Sequence, residues 1–378
     1  MTTPAGPSIW ADRDVQEACL MRYSVEVLAP WGRTFFDSCD ARKHFALVAT
    51  GSRAAASISG RALPPLGDGA ALDYQSLCIA HLRSLSGDAA EIQSPDLLAA
   101  APHAAALAGG DDGTYLRGAQ VFLDAQSASA LRQGGLRLAA FWVGVRQEFH
   151  KAFLEERAIG FDLSCFAAST YRQLDPADDA TWANRIVLHC AHVLAYCYGD
   201  ASWAPWRYEA LCEYNRQWQA LTPQTFDPIF CRPPNRSQGG IFPVLWYLDD
   251  CIVTAVQHWH LARLLLAVFD PRVPRMGPSR KAAVARREAE IKHHVFSICG
   301  IALSNKTAPA LVAACMGVTM CGDRISDRLE QAALLEILTR TEETHGLSTA
   351  KAQTHLQAAW DWVPASSDAS TSLSIGHA

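Results

Sequence analysis

Apolar residues recur at spacings of three and four along most of the chain, which is the pattern of amphipathic helices. No stretch alternates convincingly between apolar and polar residues as a strand would, and there is no internal repeat. The pattern therefore predicts an all-α fold, a single large helical domain of roughly ten or more helices. The predicted helices span residues 15–28, 41–59, 73–84, 114–131, 136–157, 179–198, 206–221, 242–269, 283–303, 308–322 and 327–344.

The segments between and beyond these helices differ in composition. Residues 222–240 are rich in proline and glycine, and we expect them to form a long ordered loop. Residues 1–12 and the serine-rich stretch 364–378 have the composition of disordered tails. The predicted organisation is thus one helical domain at 13–363 between two tails.

The most apolar predicted helix, at 242–269, contains the segment nearest in character to a membrane span. Within it, Gln257, His258, His260 and Arg263 interrupt the apolar run. Such groups are expensive in the hydrocarbon of a bilayer. We therefore predict a buried core helix and no membrane span.

Composition and charge narrow the class of protein. Hydrophobic residues make up 49% and charged residues 19%, a balance that requires compact folding. The net charge of −5 argues against a nucleic-acid-binding surface, since such proteins are usually basic. The one basic cluster, at 272–287, has no interleaved aromatic residues, so we expect a solvated face. We predict no direct binding to nucleic acid.

The first residues of the chain and the spacing of the cysteines predict an intracellular protein, either cytoplasmic or nuclear, that is not secreted. The first residues lack the basic and apolar regions of a signal peptide. The twelve cysteines are irregularly spaced, as expected of reduced packing thiols. No two are separated by just two residues, so a structural zinc site of the usual type is not predicted.

A polar stripe on the most apolar helix is the first candidate for chemistry. Tyr247, Asp250, Thr254 and His258 follow one another at spacings of three, four and four, which places them on one helical face. Buried polar groups need partners, and an Asp–His pair in a dry cavity could act as an acid–base couple. The alternative is a stripe that only cross-links the core. The candidate catalytic residues are Asp250, His258 and Tyr247.

The abundance of tryptophan, eleven in all, would suit a hydrophobic ligand cavity with a few polar anchors, although each ring can equally be core filling. Arg146 follows Trp142 by one turn and could anchor a carboxylate or carbonyl; an ion pair with Glu148 or Glu155 is the alternative. The candidate substrate-binding residues are Trp142, Arg146, His150, His189, His192, Tyr196, Trp246, Thr254, Gln257 and Trp259.

Histidines provide no convincing metal site. His258 and His260 are about 200° apart on a helix and cannot chelate one ion together. His189 and His192 share a face but lack an evident third ligand. Glycine-rich phosphate loops, dinucleotide fingerprints and nucleophile elbows are absent from the sequence. We predict neither a metal nor a cofactor.

Several long runs resemble the regulatory effector domain of fungal binuclear zinc-cluster transcription factors. They include EACLMRYSVEVLAPW, FDSCDARKHFA, GLRLAAFWVGVRQEFHKAF and TWANRIVLHCAHVLAYCYG, followed by the segments at 242–278 and 299–338. The resemblance spans about residues 16–362 and implies an all-helical effector fold. It also implies that such a domain controls activity, binds inducers or pairs with partners.

The departures from the family pattern are specific. The six-cysteine zinc cluster that normally precedes the effector domain is not in this sequence. Residues 51–72 replace a usually continuous apolar helix, and 95–110 lack the usual arginine and paired glutamates. His150 stands where tyrosine is usual, and His192 where glutamate is frequent.

These observations leave three functional hypotheses. The first is a domain recruited as a cofactor-independent enzyme of fungal secondary metabolism, a cyclase or isomerase, with pericyclic Diels–Alder-type chemistry included. The second is a transcriptional regulator subunit or ligand-sensing domain, and the third is a scaffold that pairs with itself or with another protein. We rank the enzyme first, because the sequence lacks the DNA-binding module and has rewritten segments. Its expected partner is a hydrophobic small molecule.

Overall fold

The computed structural model describes residues 114–133, 135–199, 204–274, 276–305, 307–345 and 348–362. The all-α prediction is confirmed, because helices dominate the described residues and the strands are two short segments. The predicted helices at 15–28, 41–59 and 73–84 and both predicted tails lie outside the described residues. The described helices are α1 (Thr114–Gln133), α2 (Gly135–Leu154), α3 (Asp179–Tyr198), α4 (Pro205–Leu221), α5 (Asp250–Val268), α6 (Ser279–Ser304), α7 (Ala308–Cys321), α8 (Arg328–His345) and α9 (Ala350–Ala359).

Helix α5 is the centre of the arrangement and contacts α3, α4, α6 and α7. Most of its residues are buried, as expected of a helix that is apolar on all sides. It is also the one described helix that is long and apolar enough to cross a membrane, but 72% of that span is buried inside the protein. Burial against neighbouring helices agrees with the prediction of a core helix.

The start of the predicted helix at 242–269 is wrong. Residues Val244–Trp246 form a strand, β2, which pairs antiparallel with β1 at Phe230–Arg232. The helix begins only at Asp250, where the side chain of Asp249 accepts a hydrogen bond from the Cys251 backbone N–H at 2.7 Å. An aspartate in that position satisfies an orphan amide at the helix start. Tyr247 therefore does not share a helix with Thr254 and His258.

The β1–β2 hairpin is fixed to the C-terminal end of α6. The Asn305 side chain accepts from the Tyr247 amide at 3.0 Å and donates to the Leu245 carbonyl at 2.8 Å. The Ser304 hydroxyl accepts a weaker bond from the Leu245 amide at 3.3 Å. These bonds satisfy the outer edge of β2. The predicted loop at 222–240 contains β1, which is held by its pairing with β2.

Three hydrophobic clusters make up the core of the described residues. One of them joins α5 to α3 and α4 through Ile252, Trp182 and Trp218. The main core joins α5, α6, α7 and α8, and a smaller one packs α1 and α2 against the turns that follow them. Helix α9, which the sequence pattern did not predict, docks through Leu356 and the ring of Trp360, whose Nε1 donates to the Gly322 carbonyl at 3.1 Å. All the described cysteines are free thiols.

Candidate functional site

The structure distributes the predicted site residues over three regions rather than one. Trp142, Arg146, His150, Thr254 and His258 belong to the interior around α2, with Trp142 in the smaller core and His258 against Phe149. Trp246, Tyr247 and Asp250 lie at a cleft beside the hairpin. His189 and His192 line a cavity between α3 and α4. The remaining three are Tyr196, Gln257 and Trp259.

In the interior around α2, Arg146 is buried and makes internal hydrogen bonds. Its guanidinium donates to the Trp142 carbonyl at 3.2 Å and to the Asn184 Oδ1 at 2.5 Å. Burial lowers the pKa of Arg146 to about 9. The predicted alternative, an ion pair with Glu148, is not formed, since that carboxylate pairs with Arg157 at 2.6 Å.

The His258 imidazole forms its hydrogen bond within its own helix. Its Nδ1 lies 2.7 Å from the Thr254 carbonyl oxygen, and its ring packs 5.3 Å from that of Phe149. Burial lowers the pKa of His258 to about 4, and burial likewise lowers the pKa of His150 to about 4. Asp250 is exposed at the first turn of α5, about 12 Å along the helix axis from His258. The structure therefore does not bring these two together as an acid–base couple.

Three other candidates line neither cavity, and their contacts lie within the packed interior. The Gln257 side chain donates to the Ile298 and Ala310 carbonyls at 3.1 and 3.0 Å, which joins α5 to α6 and α7. The Trp259 Nε1 donates to the Asn215 carbonyl at 3.1 Å. The ring of Tyr196 is buried beside that of Tyr208. Gln257 and Trp259 thus hold helices together, whereas the buried Tyr196 hydroxyl has no hydrogen-bond partner among the described residues.

The cleft beside the hairpin has a volume of about 360 Å³ and an acidic, open character. Asp249 and Asp250 stand at its edge, and Trp246 and Leu248 expose large apolar surfaces there. Burial raises the pKa of Tyr247 to about 12, so its phenol stays protonated. The cleft brings together three predicted residues, but none of the histidines.

The cavity between α3 and α4, hereafter the α3–α4 cavity, has a volume of about 340 Å³ and opens to solvent. Rings make up much of its wall, and the His189 imidazole stacks on Tyr214 at 4.8 Å with an angle of 22° between the planes. Tyr171 joins the cavity to Trp142, since their rings lie 4.8 Å apart. The lining residues are Tyr171, Arg172, Leu188, His189, His192, Trp206, Arg207, Ala210, Leu211 and Tyr214.

The two histidines of the α3–α4 cavity are neutral and incompletely bonded. The buried Nε2 atoms of His189 and His192 have no hydrogen-bond partner among the described residues. Burial lowers the pKa of His189 to about 3, and its neighbour His192 lowers it further. Burial lowers the pKa of His192 to about 4, with further contributions from Arg172 and Arg207. Both imidazoles are therefore neutral near pH 7 and can donate or accept at Nε2, depending on the tautomer.

The outer wall of the α3–α4 cavity depends on Arg185, which is buried on α3. Its guanidinium donates to the Thr170 carbonyl at 3.2 Å and to the Asp175 carbonyl at 2.7 Å. It also stacks over the Trp182 ring at 4.6 Å. These contacts fix the short 3-10 turn Thr170–Arg172, which carries Tyr171 and Arg172 to the cavity.

Sequence reasoning identified the α3 wall of this cavity but not the α4 wall. Arg207, Leu211 and Tyr214 recur at spacings of four and three on α4, so one helical face supplies them. That periodicity could have identified the face. The 3-10 turn offered no such pattern, because its position depends on the distant contacts of Arg185.

A second group of histidines lies between α5 and α6, away from the cavities. The Nδ1 atoms of His260 and His294 are 2.8 Å apart, and the Trp259 ring packs on both imidazoles. Within the described ranges, no group of three or more His, Cys, Asp or Glu residues is arranged to hold a metal ion.

Comparison of the chain with protein-family models, with curated proteins and with solved structures gives no match. The resemblance to the effector domain of zinc-cluster regulators therefore stays a prediction that depends on the sequence runs quoted above.

Proposed function

We propose that the chain binds a small molecule in the α3–α4 cavity and converts it as a cofactor-independent cyclase or isomerase of secondary metabolism. One observation carries the proposal: an aromatic-walled cavity is lined by His189 and His192, whose buried Nε2 atoms have no partner among the described residues. Buried polar atoms are nearly always hydrogen-bonded in folded proteins. A polar group of a ligand that reaches the two Nε2 atoms would supply the missing hydrogen-bond partners.

The shape and lining of the cavity support a compact, largely apolar ligand. A volume of about 340 Å³ is at the small end of the range for small-molecule sites. Stacked and edge-on rings at His189, Tyr214 and Tyr171 favour flat or unsaturated ligand surfaces. A few polar atoms among such rings are enough to fix the orientation of a ligand.

The protonation of the histidines favours catalysis by preorganisation over proton transfer. General bases work best with a pKa near the working pH, and those of His189 and His192 lie at about 3 and 4. A cyclisation within one molecule, such as an intramolecular Diels–Alder-type reaction, needs chiefly a reactive conformer held in place. It exchanges π bonds for σ bonds and leaves the mass of the molecule unchanged.

The same depressed pKa values favour a second candidate, a ligand-sensing regulatory subunit. Neutral imidazoles that neither gain nor lose a proton near pH 7 are sufficient to recognise a ligand. In that case the cavity retains its ligand unchanged. This candidate agrees with the function that the effector-domain resemblance implies.

A test uses the purified full chain in catalytic amounts with metabolite extract from a host strain that lacks the gene. Mass spectrometry follows the mixture over time. Consumption of a precursor in large excess over protein, with appearance of an isomer of equal mass, is the result expected of the cyclase or isomerase. A compound held one-to-one and released unchanged would establish the ligand-sensing function instead.

Paired variants connect either outcome to the α3–α4 cavity. His189→Gln and His192→Gln retain polar side chains but move the hydrogen-bonding atoms, so turnover or retention should fall at least about tenfold, the effect of losing about 1.4 kcal/mol. His355→Gln, an exposed histidine on α9, is the matched control. Thermal unfolding of every variant separates loss of the site from loss of the fold. Full activity in both cavity variants would place the site elsewhere.

A further inference from the structure

Two arginines line the α3–α4 cavity from different elements. Arg172 extends from the 3-10 turn and Arg207 from α4. No ion pair joins either guanidinium to a carboxylate in the part of the chain that the structure describes. Among the described lining residues there is no Asp or Glu, so the cavity carries two cations and no anion.

The positive charge extends into the cavity itself. Arg172 and Arg207 both act to lower the pKa of His192, which means that their electrostatic potential reaches the imidazole inside. In a partly enclosed space this potential is less screened than at an open surface. A ligand with negative charge at this position would be stabilised by both guanidiniums.

The remainder of the lining favours a flat ligand body. The His189 and Tyr214 rings are stacked nearly parallel, and Trp206 contributes a ring that is 69% exposed at the edge of the cavity. Exposed tryptophan beside a cavity offers apolar area that a ligand can cover. The second cleft, beside the hairpin, has Asp249 and Asp250 at its edge and would repel the same ligand.

From this geometry we infer that the α3–α4 cavity selects a planar, aromatic or conjugated molecule bearing a carboxylate, which Arg172 and Arg207 bind while the rings receive its flat body. Guanidinium groups match carboxylates with paired, charge-assisted hydrogen bonds. The inference rests on the proposed function, since it names the class of ligand for the same cavity.

Calorimetric titration of the full chain with 2-naphthoate and with 2-naphthamide tests the charge requirement. The two probes have the same flat body and differ in whether the polar group is anionic. We expect naphthoate to bind at least about tenfold more tightly, which corresponds to about 1.4 kcal/mol. The advantage should shrink as salt is raised, because exposed charges are screened.

Arginine variants test the contact residues. Arg172→Gln and Arg207→Gln should each remove most of the preference for naphthoate while leaving the affinity for naphthamide unchanged. Arg216→Gln is the matched control, since Arg216 is exposed on the same helix as Arg207 but does not line the cavity. Thermal unfolding confirms that each variant is folded, and because Arg172 is exposed its replacement should not perturb the core.

The outcomes separate this inference from the proposed function. Equal affinity for the two probes, or a preference for naphthoate that survives both arginine variants, overturns the carboxylate inference and leaves small-molecule binding intact. A third outcome is that neither probe binds, but a precursor from the extract is converted and His192→Gln abolishes the conversion. In that case the inferred ligand class is wrong, while the α3–α4 cavity remains the supported site of the reaction. If neither probe binds and the histidine variants convert the precursor normally, both proposals fail.

Discussion

The Nδ1 atoms of His260 and His294 lie 2.8 Å apart and share one hydrogen bond between α5 and α6. One imidazole donates and the other accepts, so the accepting ring must be neutral. Burial lowers the pKa of both rings, and the neighbouring His293 and Arg263 lower the pKa of each further. The Arg263–Glu290 ion pair and the Trp259 ring also lie beside the histidines, with the Glu290 carboxylate 3.9 Å from the His294 Nε2.

The histidine pair makes stability depend on pH. Because the folded pKa values lie below the unfolded value of about 6.5, the neutral pair contributes its full stability above that pH. The contribution is lost progressively as the pH falls below about 6.5 toward the folded values. We expect the free energy of unfolding, measured by urea denaturation from pH 8 to pH 5, to decrease at the acid end.

A histidine variant isolates this contribution. His294→Gln removes one titrating ring and should flatten the acid-side decrease in the free energy of unfolding, at some cost in stability at pH 8. His355→Gln, exposed on α9, should leave the profile unchanged. An acid-side slope that is the same in His294→Gln and in the parent chain would contradict the assignment.

Replacement of two helical glycines by alanine should change the free energy of unfolding in different ways. A Cβ on Gly300 in α6 would overlap the Pro243 carbonyl oxygen, where the hairpin crosses the helix. A Cβ on Gly317 in α7 would meet the Ile298 side chain at 3.4 Å, an ordinary contact. Gly300→Ala should lower the free energy of unfolding by about 1–3 kcal/mol. Gly317→Ala should be neutral or stabilising by up to about 1 kcal/mol.

Chemical denaturation of the two glycine variants measures the difference directly. If Gly300→Ala is as stable as Gly317→Ala, the hairpin does not approach α6 as closely as described.

Gln257 should matter to folding and not to ligand binding. Gln257→Leu keeps the approximate volume but removes both hydrogen bonds to Ile298 and Ala310. We expect a loss of about 1–3 kcal/mol in the free energy of unfolding. Binding or conversion at the α3–α4 cavity should be unchanged in the folded protein. Gln357→Leu, on the exposed face of α9, should stay within about 0.5 kcal/mol of the parent.

An Asp250 variant tests which of two sites, the cleft beside the hairpin or the α3–α4 cavity, is the site of chemistry. Asp250→Asn weakens a favourable charge at the N-terminus of α5, which should cost about 0.3–1 kcal/mol in stability. Because Asp250 is remote from the lining of the α3–α4 cavity, turnover or ligand retention should remain at the parent level. Loss of turnover without loss of stability would indicate that the cleft beside the hairpin is the site of chemistry.

Helical periodicity predicted the described helices up to α8 because their apolar faces pack on a shared core. The helix predicted at 179–198 occurs at Asp179–Tyr198, and the others agree within a few residues except at the start of α5. That start was missed because only Asp249 and Asp250 separate the apolar run at Val244–Trp246 from the apolar residues of the helix, and the pattern extended the predicted helix across them. Helix α9 was missed because its apolar residues are alanines apart from Leu356, so large apolar side chains show no helical spacing there.

The candidate site was predictable only in part. Spacing placed His189 and His192 on one face of α3, and they do line one cavity. Spacing also grouped Tyr247 with His258, but that grouping required a helix through Tyr247, where the chain instead leaves a strand. Whether a polar residue faces a cavity depends on residues from distant segments of the chain. The periodicity of one segment gives no information about those residues.

Arg185 does not line the α3–α4 cavity, yet it determines where Tyr171 and Arg172 stand. Its bonds go to backbone carbonyls, so they constrain the path of the 3-10 turn and leave the identities of the side chains on it free to vary. The frame of the cavity and its chemical selectivity are thus encoded by different positions. New ligand preferences can arise by exchanging side chains on the turn while one buried arginine preserves the geometry.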